Sequence, residues 1–202
     1  MRVLGLDLST KPGFAVMDDG STLVAHGTAF LLAATVERSP AWDHVLDYMF
    51  IDVACRVAQK VAAWIHDFQP DMVAIEQTNQ GRSRTTQKEL EFIHFAVLQE
   101  IRRLGYQYKL TYIDSSRWRS LCEQKMTKEQ RKHNKEVTEG KMRGKIRKKH
   151  LAVAWANQKF GLSLIMKDED AADAIGIAYG AWRQRQITNV GKIDVDKVLL
   201  GS

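Results

Sequence analysis

Short apolar runs separated by polar turns predict three strands at the start of the chain. Arg2–Asp7 is a nearly continuous apolar run, which is typical of a buried strand, and similar runs follow at 13–17 and 22–31. The polar residues Asp18-Asp19-Gly20-Ser21 between the second and third runs are typical of a hairpin turn. We therefore expect the fold to begin as an antiparallel meander.

Further along the chain the apolar positions change to helical spacing. They recur every three or four residues across 43–68, which predicts a long amphipathic helix that Pro70 ends. The same reasoning predicts the remaining elements in chain order: a strand at 72–76, a polar loop at 77–86, a helix at 87–104 stopped by Gly105, a strand at 108–113, a short helix near 116–122, a helix at 147–160 closed by Gly161, and a helix at 168–186. This order predicts an α/β fold, a five-stranded mixed sheet flanked by helices on both faces.

The chain length of 202 residues and the hydrophobic content of 45% are typical of one globular domain. We expect that domain to span 1–186, with a basic insertion near 123–146 and a C-terminal tail at 187–202. No apolar run approaches the roughly 20 residues that span a bilayer, and the first residues lack the features of a signal peptide. We therefore expect a cytoplasmic protein without membrane contact.

The two cysteines do not form a motif. Neither belongs to a CxxC pair or a histidine cluster, a pattern that argues against a zinc site or a disulfide scaffold. We expect both to be reduced thiols, with Cys55 in the core and Cys122 near a helix end.

Positive charge is concentrated in one segment. The net charge is +6, yet residues 124–150 contain eleven Lys or Arg and three Glu, so the rest of the chain sums to −2. Such a run is often only a solvated or disordered face. Beside a carboxylate cluster it also suits the phosphate backbone of a nucleic acid, because each neutralised phosphate releases counterions.

Two acids stand out because they end predicted strands. Asp7 either caps a turn with Ser9 and Thr10 or points into a central cleft. Glu76 ends the fourth strand, where a solvated strand end is an equally good explanation. Neither acid alone indicates a function.

A second pair of acids lies on the last predicted helix. Asp170 and Asp173 are three residues apart and therefore share one face. The helix macrodipole alone explains Asp170 near the helix start, but it does not explain Asp173, which small alanines surround. Those alanines let the helix approach the sheet closely. Acids gathered from three distant segments repel one another unless a cation holds them, so the leading interpretation is a divalent-metal site that hydrolyses phosphodiesters.

Together these segments resemble the RuvC family of Holliday-junction resolvases, within the ribonuclease H-like superfamily. The matching segments, within a resemblance that runs from Arg2 to about Arg183, are Val3-Leu4-Gly5-Leu6-Asp7, Gly13-Phe14-Ala15-Val16, Ala74-Ile75-Glu76-Gln77 and Asp170-Ala-Ala-Asp173-Ala-Ile-Gly-Ile-Ala178. The resemblance implies a ribonuclease H-like fold in which the metal-binding and catalytic acids are Asp7, Glu76, Asp170 and Asp173.

The resemblance also implies an activity. It predicts magnesium-dependent cleavage of four-way DNA junctions, and of other branched DNA as an open extension, leaving 5′-phosphate and 3′-hydroxyl ends. Two Mg²⁺ per site, which Mn²⁺ would replace, would activate the attacking water and stabilise the leaving 3′ oxygen. The family acts as a homodimer. The helices predicted at 43–68 and 87–104 are the candidate dimer surfaces, and His66 and His94 on them are expected to be structural.

Several basic residues are candidates for contact with DNA under this resemblance. Lys148 or Lys149, at the start of the helix before the final acids, is the counterpart of the family's basic residue near the scissile phosphate, and the choice stays open. Trp118 either stacks on DNA or is buried. The other candidates are Arg82, Arg84, Arg117, Arg119, Lys141, Arg143, Lys145 and Arg147.

The sequence departs from the family pattern in three places. Asp7-Leu8-Ser9-Thr10 replaces the usual Asp-Pro-Gly, and the loop 78–84 lacks the aromatic residue that often wedges into the junction. The basic segment is longer than in cellular members and resembles that of a phage resolvase. The missing aromatic weakens the expectation of junction selectivity more than that of nuclease activity.

Three other functions stay open as alternatives. Residues 5–10 resemble the first phosphate loop of the sugar-kinase and actin-like ATPases, although 202 residues leave no room for their second lobe. A branched-DNA-binding protein without catalysis would not need four acids. An RNA–DNA hybrid nuclease would use a similar acid cluster, and trials with different substrates separate it from a junction nuclease.

Overall fold

A mixed sheet forms the centre of the computed structural model, which describes residues 1–29, 45–77 and 84–199. Its five strands are β1 (Arg2–Asp7), β2 (Gly13–Asp18), β3 (Thr22–Thr28), β4 (Met72–Glu76) and β5 (Leu110–Ile113). The order across the sheet is β3-β2-β1-β4-β5. The first three strands pair antiparallel, whereas β4 runs parallel to β1 and β5 runs parallel to β4. The predicted meander and mixed sheet are confirmed.

Helices cover both faces of this sheet. Those in the described part of the chain are α1 (Val45–Phe68), α2 (Arg84–Arg103), α3 (Ser115–Leu121), α4 (Lys128–Thr138), α5 (Lys148–Phe160) and α6 (Glu169–Leu199). No described helix is long and apolar enough to cross a membrane.

Alternation along the strands gives each face of the sheet its own core. Leu4 and Leu6 of β1 pack with residues of α1 and α2, such as Val57 and Ile93. Val3, two positions away from Gly5 and four from Asp7, belongs instead to the core built with α3, α5 and α6. Because side chains alternate between faces, Asp7 lies on the α6 side of the sheet.

The first turns of α6 lie unusually close to the sheet. A Cβ atom on Gly5 would lie 2.5 Å from the carbonyl oxygen of Ala174, and one on Gly13 would collide with the backbone of Asp170. Ala171, Ala172 and Ala174 are all buried at this contact. The close approach expected from the alanines is confirmed, and it places the start of α6 against the carboxyl end of β1.

Several element boundaries differ from the sequence prediction. α2 begins at Arg84 rather than at residue 87, and β5 begins at Leu110 because Gln107–Lys109 forms a 3₁₀ turn. α6 continues as a helix to Leu199 instead of ending at residue 186. The division into a domain at 1–186 and a tail stays a prediction, and the predicted strand end at residue 31 lies outside the described residues.

The basic insertion contains a helix that the apolar pattern did not predict. α4 has Val137 as its single aliphatic residue, so no periodic stripe marks it. A capping box defines its start, since the Thr127 side chain accepts from the Gln130 N–H and the Gln130 side chain accepts from the Thr127 N–H. Asn134 then hydrogen-bonds both the N–H and the carbonyl of Ile146, at 2.8 and 2.9 Å. The insertion therefore folds back on itself. We call residues 124–147 the basic arm.

The two cysteines have different environments. Cys55 is exposed, so its predicted place in the core is wrong. The buried stripe of α1 runs through Ala54, Val57 and Val61, and Cys55 lies off that stripe. Cys122 is buried at the end of α3, where burial raises the pKa of its thiol. A thiol with a raised pKa is a poor nucleophile, so Cys122 is structural.

Candidate metal centre

Two of the predicted acids meet because their strands are parallel neighbours. The register pairs Leu6 of β1 with Ile75 of β4, so Asp7 and Glu76 are the next residues along adjacent strands. Glu76 shares its face of the sheet with Ala74, which belongs to the core on the α6 side. Both carboxylates therefore lie at the carboxyl ends of β1 and β4, on the face of the sheet that α6 covers.

The helix α6 brings the other two acids to the same place. Burial raises the pKa of Asp7 well above its ordinary value, and the charges of Asp173, Glu76 and Asp170 raise it further. The geometry agrees, because Gly13, the register partner of Asp7 on β2, lies directly against the backbone of Asp170 at the start of α6. The structure thus gathers all four predicted acids.

Asp173 is held by an arginine from α3. It is 5% exposed, the only buried charged residue in the described part of the chain. The Arg119 guanidinium donates to both of its carboxylate oxygens at 3.0 Å, and the Arg119 side chain is itself only 13% exposed. Burial raises the pKa of Asp173, while Arg119 and Lys149 oppose that rise. Arg119 lies in the cleft with Asp173 as its partner, and its predicted contact with DNA stays a prediction.

Glu76 is held by the neighbouring residue of α3. The Trp118 indole Nε1–H donates to Glu76 Oε2 at 3.0 Å. Burial raises the pKa of Glu76, and this hydrogen bond partly opposes the rise. Trp118 is fully buried, so of its two predicted roles the structure supports burial and contradicts stacking on DNA.

The two candidate lysines at the start of α5 differ in orientation. Lys149 Nζ lies 2.6 Å from a Glu169 oxygen and 3.6 Å from a carboxylate oxygen of Asp170. Burial lowers the pKa of Lys149, but Glu169, Asp170 and Asp173 raise it overall, so the ammonium stays charged beside the acids. Lys148 is exposed, and its backbone carbonyl accepts from Arg119 at 3.4 Å. Lys149 is therefore the lysine that faces the acid cluster.

The remaining predicted basic residues are spread over the surface. Arg117 donates to Gln184 at 3.4 Å, and Lys141 pairs with Glu139 at 2.6 Å. Arg84 is exposed at the start of α2, and the exposed residues of the basic arm include Arg143, Lys145 and Arg147. Arg82 lies outside the described residues.

The donor chemistry of the cluster fits a divalent cation with oxygen ligands. Mg²⁺ prefers carboxylate oxygens, and the cleft offers four carboxylates whose mutual repulsion a dication would relieve. Among the described residues, however, no three His, Cys, Asp or Glu side chains stand in a metal-ligating arrangement. Asp173 is engaged by Arg119, and Asp170 lies near Lys149 and Lys11. Binding a cation would require these carboxylates to exchange those partners.

The motifs did not predict that Trp118 and Arg119 belong to the cluster. A topological signal for them exists: β5 lies beside β4, and α3 directly follows β5. A short helix after the carboxyl end of β5 therefore lies beside Glu76. A motif in a single sequence does not show which strands are neighbours in the sheet, so it does not place α3 beside Glu76.

The sheet order and its two helical layers define an α/β protein with a ribonuclease H-like fold. Comparison with solved structures narrows that class to a RuvC-like fold. The chain is similar to T. thermophilus RuvC in complex with a Holliday junction substrate, with a TM-score of 0.61, 17% identity, and coverage of 92% of this chain and 96% of that chain.

Two further solved structures give the same result. A Thermus thermophilus RuvC structure is similar with a TM-score of 0.57, 19% identity, and coverage of 92% of this chain and 96% of that chain. The yeast mitochondrial Holliday junction resolvase Ydc2 is similar with a TM-score of 0.51, 19% identity, and coverage of 93% and 80% respectively. No protein-family model and no curated protein sequence matches the chain. Comparison of structures therefore detects the RuvC-like fold, whereas comparison of sequences finds no match.

Proposed function

We propose that this chain is a structure-selective endodeoxyribonuclease that cuts four-way DNA junctions with the help of a divalent metal. The observation that carries the proposal is the meeting of four carboxylates, from β1, β4 and α6, in one cleft of a RuvC-like fold. Two of the similar structures are RuvC, one of them in complex with a Holliday junction substrate, and the third is a Holliday junction resolvase, which supports branched DNA as the substrate class.

The residues that would hold the metal are Asp7, Glu76, Asp170 and Asp173. We propose Mg²⁺ as the cofactor, two ions per site, with Mn²⁺ as a substitute. When bound, such ions stabilise negative charge on the phosphate and help to generate the nucleophile from water. The chain's own contribution is to bring the four carboxylates to the carboxyl ends of β1 and β4, where Asp173 is buried and Asp7, Glu76 and Asp170 are partly buried.

Two cations of the chain stand where a phosphate would meet the acids. Lys149 lies beside Asp170, and Arg119 lies on Asp173. We propose that Lys149 is the catalytic basic residue and that Lys148, which faces solvent, contacts the DNA backbone. A fixed positive charge near the scissile phosphate stabilises the charge that develops there.

The basic arm would bind the phosphate backbone next to the cleft. Its residues Lys141, Arg143, Lys145 and Arg147 are exposed and immediately precede α5, which presents Lys149 to the acids. We propose branched DNA as the partner and a homodimer, through α1 and α2, as the active form. A phage-type origin and a cytoplasmic location remain predictions.

One observation favours a second candidate, a branched-DNA-binding protein without catalysis. The Arg119–Asp173 ion pair engages both oxygens of one proposed metal ligand. A protein that never binds metal would keep that pair permanently. Four acids that repel one another are costly for such a protein, which is why the nuclease is preferred.

Cleavage assays with four labelled substrates test the proposal. The purified protein would be incubated with an immobile four-way junction, a flap, a linear duplex and an RNA–DNA hybrid, in Mg²⁺ or in EDTA. Asp7→Asn is the test variant. Asp19→Asn is the matched control, because exposed Asp19 pairs with the amino terminus and not with the cluster.

The account predicts Mg²⁺-dependent nicking of the junction that Asp7→Asn abolishes and Asp19→Asn retains. Preferred cleavage of the hybrid would instead indicate an RNA–DNA hybrid nuclease. Tight binding of the junction without cleavage in any divalent metal would establish the binding protein.

A further inference from the structure

The polar atom of a buried tryptophan is directed at the acid cluster. Trp118 is fully buried, and its Nε1–H donates to Glu76 Oε2 at 3.0 Å. A buried indole N–H needs an acceptor, and many acceptors would satisfy it. Here the acceptor is a carboxylate at the end of β4, one of the four acids that share the cleft.

The helix that carries two of the acids also provides the seat for this tryptophan. A Cβ atom on Gly180 would lie 2.6 Å from the Trp118 Cβ, and one on Gly176 would collide with the indole ring. Gly176 and Gly180 follow Asp173 by three and seven residues, so they lie along the same side of α6. The position of the indole is therefore set by the helix that bears Asp173.

The next residue completes the contact between α3 and the acids. The Arg119 guanidinium lies 4.0 Å from the centroid of the Trp118 ring and donates to both oxygens of Asp173. Two consecutive residues of α3 thus hold one acid of the sheet and one acid of α6. Asp114 begins α3 by accepting from the backbone N–H groups of Ser116 and Arg117, which anchors the helix directly after β5.

We propose that Trp118 is a positioning residue, which orients the Glu76 carboxylate so that the cluster accepts a divalent cation. This inference rests on the proposed function. The hydrogen bond restricts rotation of the Glu76 side chain and engages one of its oxygens. Trp118 has no exposed surface, so any effect on the reaction is indirect, and its one polar contact with the cluster is the hydrogen bond to Glu76.

Removal of the indole N–H tests this role. Trp118→Phe keeps an aromatic ring on the two glycines but lacks the donor. Trp155→Phe is the matched control, because Trp155 borders the same core and contacts the rings of Phe160 and Tyr179. The measurements are Mn²⁺ affinity by calorimetry without DNA, junction affinity in EDTA, and the rate of junction cleavage at saturating DNA.

The expected result is selective. Trp118→Phe weakens Mn²⁺ binding about 10-fold and slows cleavage comparably, the usual effect of losing a group that orients a metal ligand. Its junction affinity in EDTA stays that of the wild type, and Trp155→Phe keeps all three properties. A merely structural role would lower thermal stability without changing metal affinity in this way.

A measurement on the wild-type protein covers the case in which Trp118→Phe fails to fold. The assigned indole Nε1–H resonance of Trp118 should shift when Mg²⁺ is added, while that of Trp155 stays in place. A Trp118 resonance that does not respond to Mg²⁺ would overturn the inference, as would a folded Trp118→Phe protein with wild-type metal affinity and cleavage. If the wild type neither binds Mn²⁺ nor cuts any DNA, the proposed function fails and the inference falls with it.

Discussion

At the scale of single residues, the site is a set of like charges held together by the fold. The effect on the pKa is largest for Asp7, because burial and three neighbouring carboxylates all raise it. Lys149 opposes the rise but does not cancel it. In the absence of a divalent cation, an ionised Asp7 therefore destabilises the folded state.

Neutralising this acid should stabilise the metal-free protein. In EDTA at pH 7, Asp7→Asn is expected to raise the free energy of unfolding by about 1 kcal/mol, or about 2–4 °C in Tm for a chain of this length. The measurement is thermal unfolding followed by circular dichroism. Asp19→Asn, at an exposed ion pair, should not raise the Tm.

The pH dependence of this effect has a definite sign. Because the pKa of Asp7 is raised in the folded protein, the cost of its ionised form is absent below the ordinary value of 3.8 and is fully present above the raised value. The Tm advantage of Asp7→Asn should thus shrink as the pH falls from 7 toward 4. An advantage that grows in acid would contradict the environment described for Asp7.

The two lysines at the start of α5 should differ in importance. Lys149→Ala removes the charge beside Asp170 and is expected to reduce the cleavage rate about 100-fold, the typical loss for one fixed group that stabilises a transition state. Lys148→Ala is the matched control and should mainly weaken junction binding. The check is single-turnover cleavage with saturating protein. Equal effects on the rate would show that orientation toward the acids is not what matters.

The four acids were singled out from the sequence by their combination and by the resemblance that it carries, because no single local pattern is specific for a site. Asp7 and Glu76 end apolar strands, and Asp170 and Asp173 share a helix face lined with alanine. Their partners were not predictable in the same way. Arg119 reaches Asp173 across 54 sequence positions, a contact that depends on the packing of α3 against α6 and not on any local spacing.

At the scale of elements, the basic arm combines a helix and a returning stretch of coil. Asn134 on α4 binds both backbone groups of Ile146, and His133 hydrogen-bonds the Gly144 carbonyl at 2.9 Å. These contacts fix the residues that lead into α5. The arm is thereby placed next to Lys149.

Loss of the Asn134 hydrogen bonds should loosen the arm. Asn134→Ala removes two hydrogen bonds to Ile146, each worth about 1 kcal/mol, and should speed amide hydrogen exchange across 139–147 while lowering junction affinity. Asn134→Asp keeps the acceptor for the Ile146 N–H and should give an intermediate effect. Unchanged exchange in Asn134→Ala would mean that the arm is ordered by other interactions.

The elements also show which sequence signals are sufficient. The apolar run of β1 predicted its bounds, Arg2–Asp7, because burial on both faces leaves a continuous apolar pattern. The apolar periodicity did not predict α4 because this helix is polar. Its start is marked instead by the capping box of Thr127 and Gln130, which is visible in the sequence. The continuation of α6 beyond residue 186 was missed because the sequence after Ile187 carries little periodic signal.

At the scale of the whole molecule, the charge distribution separates acid from base. The basic residues of the arm lie beside a cleft of four acids, while the chain outside residues 124–150 is slightly negative. The positive arm would attract a polyanion, and under the proposed function a cation in the cleft would offset the repulsion between the acids and the phosphate of that polyanion. Under the proposed function, this arrangement would couple DNA binding to metal binding.

Salt dependence should reveal how much of the affinity the arm supplies. Replacement of Lys141, Arg143 and Lys145 by Gln should lower the slope of log affinity against log salt by about 0.9 for each phosphate that the arm no longer neutralises. Replacement of Lys109, Lys159 and Arg185 by Gln, all exposed and outside α1 and α2, is the control with the same change in net charge. Binding isotherms at several salt concentrations give both slopes. Equal decreases in the two variants would show that only total charge matters.

The most direct test of the central claim is junction cleavage by variants of the Asp170–Asp173 helix face. Wild type, Asp173→Asn and Asp168→Asn would be assayed on one labelled four-way junction in Mg²⁺, with junction affinity measured alongside in EDTA. Asp168 is the matched control because it accepts from the Ile165 N–H and caps the turn before α6. The account predicts that Asp173→Asn binds the junction and does not cut it, while Asp168→Asn does both. Cleavage by Asp173→Asn at the wild-type rate would contradict the account.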